Sequence, residues 1–260
     1  MKKIIITLMM GMVCSAAQAV LITDNFNRAN TTFATNNAQI AVSIGSNWKT
    51  ARTDDTNTQY RIFNNEVDMG VVSAPLLTKA MLLNTAAGTI NAGAATNFTL
   101  SADINQYSTN STSYAGLVFN YQDGGAENGS YYLFRVGGNG AAQFLVFSNF
   151  VQQAGSIVNK AGAVSYVSNH VYTYTVSSVD PYIFNISVFD KTTSTMAYTT
   201  NNVTVGGTFK KLQDGLGGMY ATSGLATFDN FSLDAVPEPA TIGMLGVGAL
   251  AVMLIRRMRR

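Results

Sequence analysis

Apolar and polar residues alternate in short runs along most of this chain. Phe98, Leu100, Ala102 and Ile104 are separated by Thr99, Ser101 and Asp103, the period of a strand with one buried face. Residues 116–121 and 131–136 read as two further strands. Asp123-Gly124-Gly125 and Asn128-Gly129 join them with residues that accept the positive φ of tight turns. Gly137-Gly138-Asn139-Gly140 turns the chain again, into residues 143–147. Residues 170–176 and 182–189 flank Asp180-Pro181, a turn signal, with Phe184, Ile186 and Val188 on one side and Asn185 and Ser187 on the other. Residues 216–220 and 226–233 complete the series, while helical periodicity is almost absent. Residues 50–59 read as a loop, and no internal repeat or linker interrupts the run. Many short strands with Gly-rich turns predict an all-β fold, a two-sheet antiparallel sandwich.

The ends follow a different pattern. Lys2 and Lys3 precede an apolar stretch over residues 4–13, broken only by Thr7 and Gly11, and Ala17-Gln18-Ala19 supplies the small-x-small site that a signal peptidase needs. Residues 1–19 are therefore expected to be a signal peptide, removed before Val20. Cys14, the one cysteine, lies inside it, and Val13 and Gly11 stand where a lipoprotein signal would carry a small residue and a leucine. The mature chain then has no thiol chemistry and no disulfide, and a core of this size stands without one. At the other end Pro237-Glu238-Pro239 stops regular structure ahead of an apolar run over residues 240–255, closed by Arg256, Arg257, Arg259 and Arg260. As a helix the run spans about 24 Å at roughly 1.5 Å per residue, short for a permanent anchor, with the arginines holding its end in the cytoplasm.

This order of Pro-Glu-Pro, apolar helix and arginine cluster resembles the PEP-CTERM sorting signal. The resemblance implies export across the inner membrane of a Gram-negative bacterium and transient anchoring through the helix. It also implies recognition of Pro237, Glu238, Pro239, Arg256 and Arg257 by an exosortase, a membrane transpeptidase-like enzyme, and release to the cell surface, outer envelope or matrix. Proteins with such tails are associated with exopolysaccharide, biofilm and floc formation.

Between the ends, residues 20–235 have a length that suits one β domain. The formal charge of +2 misleads, because six of the sixteen Lys and Arg residues lie in the end signals. The domain itself carries ten basic and thirteen acidic residues, a balance near −3 that leaves no basic stripe for nucleic acid. Its surface is rich in Asn, Thr, Ser and Gly, amide and hydroxyl groups that match glycan hydroxyls.

A second resemblance runs through this domain. Asp24-Asn25-Phe26-Asn27-Arg28, then residues 116–119 and 131–136, and finally Phe228-Asp229-Asn230-Phe231-Ser232-Leu233 look like the concanavalin A-like jelly roll in its laminin-G-like and glucanase-like branch. That implies two antiparallel sheets, one of them concave, with the domain ends close together. A calcium ion is common on the rim of this fold, and Asp24 and Asp229, at corresponding places in the opening and closing motifs, are its expected structural ligands. Either residue could instead cap a turn through its side chain.

Catalysis is not expected. Glucanases of this fold place two glutamates on one strand, and a retaining pair must sit about 5–5.5 Å apart. The domain has only Glu66 and Glu127, far apart in sequence, and the adjacent Asp54 and Asp55 would point to opposite faces of a strand. His170 is the single histidine, with no Gly-x-Ser-x-Gly element and too few ligands for zinc, so a structural role at a strand edge is expected. For glycan binding, Trp48, Tyr114, Tyr121 and Tyr132 are the aromatic candidates to face the apolar side of a pyranose, although each could equally belong to the core. Tyr131 and Tyr132 must point to opposite faces. The sequence thus describes a noncatalytic exported surface or exopolysaccharide-matrix protein that binds glycans through its sandwich. A glycoside hydrolase or lyase, or a purely structural or adhesive matrix protein, are the alternatives.

Overall fold

In the computed structural model of the protein, the described residues are 20–34, 36–51, 58–71, 79–86, 97–124, 129–180, 182–212, 215–222 and 226–236. The expected signal with Ala17 and Ala19, the Asp54-Asp55 pair, Glu127, and the tail with Pro237, Glu238, Pro239, Arg256 and Arg257 lie outside them.

The alternation of the sequence becomes a sandwich of two antiparallel sheets. The first is built from β1 (Val20–Asp24), β3 (Thr58–Phe63), β4 (Glu66–Val71), β6 (Asn97–Gln106), β12 (Val171–Asp180), β13 (Ile183–Asp190), β14 (Thr195–Thr204) and β16 (Ala226–Val236). Its order is β14-β13-β12-β6-β16-β4-β3, with β1 also on β16. The second comprises β2 (Trp48–Thr50), β5 (Lys79–Asn84), β7 (Tyr114–Gln122), β8 (Ser130–Gly137), β9 (Ala142–Ser148), β10 (Val151–Gln152), β11 (Val158–Lys160) and β15 (Leu216–Thr222). Its order is β10-β9-β8-β7-β15-β5-β2, with β11 also on β9. One short helix, α1 (Asn37–Ser43), is missed by the sequence reading; Asn36 caps it by accepting the Gln39 N–H at 3.0 Å, and Ile40 and Ile44 bury its inner side. Thr58 and Gln59, expected in a loop, open β3.

Between the sheets, β6 contributes Phe98, Leu100, Ala102 and Ile104, β12 contributes Tyr172, Tyr174 and Val176, and β13 contributes Phe184, Ile186 and Val188. The aromatic centre is Phe119, whose ring lies 5.2 Å from Phe184, 5.6 Å from Tyr132 and from Phe144, and 6.0 Å from Phe98. The second sheet is buried on both faces: Met81, Leu83, Val118, Tyr121, Tyr131, Leu133, Leu145, Phe147 and Tyr220 form another apolar cluster. A Cβ at Gly116 would stand 2.1 Å from the Phe134 carbonyl oxygen, so only glycine lets β7 and β8 close at that point.

A bulge in β16 shapes the first sheet. Asp229 pairs with Asp103 and Ser232 with Ser101, so Asn230 and Phe231 stand opposite Ala102 alone. Asn230 takes φ 48, and the extra residue lets Phe228 and Phe231 both face the core. The same bulge divides one edge of β16: β4 pairs with residues 226–228 and β1 with residues 231–235. Val20 thereby lies opposite Ala235, which brings the two ends of the sheet together.

Candidate functional site

Where the bulge, β6, β12, β4 and the turn after β13 meet, the outer face of the first sheet sinks into a cleft of about 320 Å³, within the range of small-ligand sites. Asp103 is its hub. Buried on the outer side of β6, its carboxylate accepts from Thr173 Oγ1 at 2.5 Å, Lys191 Nζ at 2.6 Å and Asn230 Nδ2 at 2.8 Å. Asn230 reaches it because the bulge returns that side chain to the outer face, and its backbone N–H also donates to Asp229 Oδ1 at 2.7 Å. Glu66, Asn105, Thr192 and Thr227 complete the walls with Asp229.

Two features of the cleft stand out. First, Asn105 and Thr227 face each other across the β6–β16 ladder, and Asn105 Oδ1 and Thr227 Oγ1 are both buried without a hydrogen-bond partner among the described residues. Orphaned buried polar atoms are rare in folded proteins because each costs about 1–3 kcal/mol of lost hydration. Second, burial pushes the Asp229 carboxyl above the ordinary carboxylate range; the charges on Glu66 and Asp103 add to that, against the hydrogen bond from the Asn230 N–H. Beside the cleft, Phe63 is the cross-strand partner of Glu66. The Arg61 guanidinium stacks 4.5 Å from the Phe63 ring and 4.2 Å from Phe33, leaving these rings 42% and 40% exposed.

Most of the sequence-derived candidates are placed elsewhere. Trp48, Tyr121 and Tyr132 are at most 2% exposed, so none can lie against a sugar. Trp48 packs between Phe26 and Phe231 at 5.5 and 4.9 Å. Tyr132 belongs to the central core, where burial pushes its phenol above the ordinary range and the Leu212 N–H donates to it at 2.6 Å. The opposite phase of Tyr131 and Tyr132 is correct, but Tyr131 is the one on the outer side of the second sheet. Tyr114 is half-buried, with the Arg135 guanidinium 3.9 Å over its ring.

The Asp24–Asp229 calcium pair does not fit either. The Asp24 carboxylate takes four contacts from three donors: Arg28 Nη2 on both oxygens at 2.8 and 2.6 Å, the Phe26 N–H at 2.9 Å and Trp48 Nε1 at 2.9 Å. Asp24 thus anchors the Phe26–Trp48–Phe231 cluster. It borders a second opening, which meets the cleft at Asn230. Sequence reasoning misses Asp103, Asn105, Lys191, Thr227 and Asn230 as site residues, and it sets Glu66 aside.

His170 has a structural partner. Its Nδ1–H donates to the buried Asp190 at 2.8 Å, and Asp190 also accepts from the Thr192 and Thr193 N–H groups at 2.9 and 3.1 Å. Burial raises the Asp190 carboxyl, but the bond from His170 and those from Thr193 outweigh it and hold the group below its ordinary value of 3.8. A lowered folded value means stability that is full above the unfolded pKa and lost as pH falls through the folded one. In urea denaturation below pH 4, Asp190→Asn is expected to flatten the acid limb relative to the parent; an unchanged limb would refute this.

The comparisons fit this architecture. No curated protein matches the chain. Among solved structures, arcelin-5, a lectin-like defense protein from Phaseolus vulgaris, aligns at a TM-score of 0.52 and 8% identity, over 85% of this chain and 100% of its own. A lectin from Bauhinia forficata in complex with GalNAc aligns at 0.52 and 8%, over 85% and 99%. A protein of unknown function from Shewanella oneidensis MR-1 aligns at 0.52 and 10%, over 88% and 92%. At such identities the likeness establishes the fold, a concanavalin A-like jelly-roll sandwich. Residues 235–260 match the PEP-CTERM protein-sorting motif, which marks the chain as an exported protein, anchored in the membrane and then processed.

Proposed function

We propose that this is a noncatalytic surface or matrix protein that holds an extracellular glycan in the cleft around Asp103, having reached its place through exosortase processing of its tail. The observation that carries the reading is the pair of buried polar groups, Asn105 Oδ1 and the Thr227 hydroxyl, that have no partner among the described residues and lie in the wall of an open polar cleft. A sugar hydroxyl supplies the missing donor. The outer positions of β6, β12 and β13 continue the surface with Thr99, Ser101, Thr175, Ser177, Asn185 and Ser187, a hydroxyl and amide track along which a polymer can lie. Phe63 offers the apolar face that the expected tyrosines do not.

Thr227→Val tests this directly, because it keeps the shape and removes the orphaned hydroxyl. The variant is expected to be as stable as the parent or more stable by about 1 kcal/mol. Its affinity for the polysaccharide that the parent binds, found from a panel including the host's own exopolysaccharide, should fall about tenfold. A destabilised variant with unchanged binding would overturn the assignment, as would a parent that binds no glycan.

Hydrolysis is the second reading, favoured by one observation: Asp229, with its raised carboxyl, shares the cleft with Glu66. Release of reducing ends from polysaccharide, abolished by Glu66→Gln, would establish it.

A further inference from the structure

The charge in the cleft that is not already paired is negative. Lys191 Nζ is committed to Asp103 at 2.6 Å, and the Asn230 amide donates to both Asp103 and Asp229. What remains is the acceptor Asn105 Oδ1, the Thr227 hydroxyl, which can both accept and donate, and the carboxylates of Glu66 and Asp229. Among the described residues no lysine, arginine or histidine forms an ion pair with Glu66 or Asp229.

A neutral sugar would satisfy the orphaned oxygens and leave Glu66 and Asp229, among the described residues, with no counter-charge nearer than Lys191, which is itself paired to Asp103. A uronic acid would add a third negative group to them. A divalent cation fits poorly. No three carboxylate, imidazole or thiol groups among the described residues are gathered closely enough to hold one. A protonated primary amine on a polyol meets the whole demand: three N–H donors, one positive charge, and hydroxyls for the track beyond.

Building on the glycan reading, we infer that the cleft selects a glycan bearing free, unacetylated amines, with Glu66 and Asp229 as its charge partners and Asn105 and Thr227 as its neutral acceptors.

The test is calorimetric titration of the exported full-length protein in mild detergent. The probes are a fully deacetylated β-1,4-glucosamine oligomer, its N-acetylated counterpart, a uronic acid oligomer and calcium chloride alone. The amine oligomer should bind about tenfold more tightly than the acetylated one, and added salt should erode the difference. Glu66→Gln, at the half-buried start of β4, should remove most of that advantage, and Asp229→Asn should do the same. Equal affinity for amine and acetyl oligomers would overturn the amine inference and leave the glycan reading standing. No binding to any oligomer or polysaccharide would remove both. A preference that survives both substitutions would reduce it to diffuse attraction by an acidic domain, and competition by calcium would make the cleft a metal site; each overturns the inference.

Discussion

Phe119→Ala is expected to lower the free energy of unfolding by about 3–5 kcal/mol, the range for emptying a fully buried phenylalanine site. The ring touches four aromatic neighbours from both sheets, Phe98 and Phe184 on one side and Tyr132 and Phe144 on the other. None of them can follow it inward without leaving its own contacts, so the cavity stays open. Leucine at the same position fills part of the space and should recover about half of the loss. Chemical denaturation of the parent and both variants measures this. A loss below about 1 kcal/mol for alanine would mean that the sheets close over the gap, contrary to the packing described.

Asp103→Ala should cost about 2–4 kcal/mol, since hydrogen bonds to a charged group contribute about 1.5–3 kcal/mol and three donors lose their acceptor at once. The substitution tests an asymmetry. Lys191 is 45% exposed and returns to water when its partner goes, so Lys191→Ala should cost less than about 1 kcal/mol. Thr173 is half-buried in β12, and Asn230, although exposed, loses the contact that ties the bulge to β6. Equal losses for the two variants would show that Asp103 serves only the surface ion pair and does not hold the bulge. Binding should fall with Asp103→Ala as well, because Asn230 then loses the contact that fixes it in the cleft wall.

How far the fold can be read from the sequence depends on how many faces of each strand are buried. β6, β12 and β13 have one face in the core and one toward water, so Phe98 to Ile104 and Phe184 to Val188 display the two-residue period directly. β8 is buried on both faces, and Tyr131 to Phe134 form an uninterrupted apolar run. Such a run announces a strand but carries no phase, which is why Tyr132 is expected outside and lies inside. The β3–β4 hairpin does carry a signal: Asn64-Asn65, at φ 52 and 65, is a two-residue turn of the kind that favours asparagine. β14, an exposed edge rich in Thr and Asn, has almost no apolar pattern to read.

The cleft is less legible than the fold for a different reason. Glu66, Asp103, Lys191 and Asn230 come from four distant parts of the chain, and only the register that sets Asp229 opposite Asp103 brings them together. The bulge itself leaves a trace, because Phe228 and Phe231 are three apart and cannot both face inward in a regular strand. That trace marks an irregularity without saying which polar side chain it turns outward.

The course of β16 has a mechanical consequence. The cleft lies at its first residues, around Asp229 and Asn230, and the sorting motif begins at Ala235, near its last. Under the proposed function, a tension between a polymer held in the cleft and the C-terminal attachment would run along the axis of a single strand. β16 is clamped over its length, by β6 on one edge and by β4 and then β1 on the other. Pulled between Asn230 and its C-terminal end, it resists in shear, with the ladder bonds to β6 and β1 sharing the force instead of peeling one at a time. In that role the strand would act as a tie rod, and its neighbours β6 and β1 would set the load that it can bear.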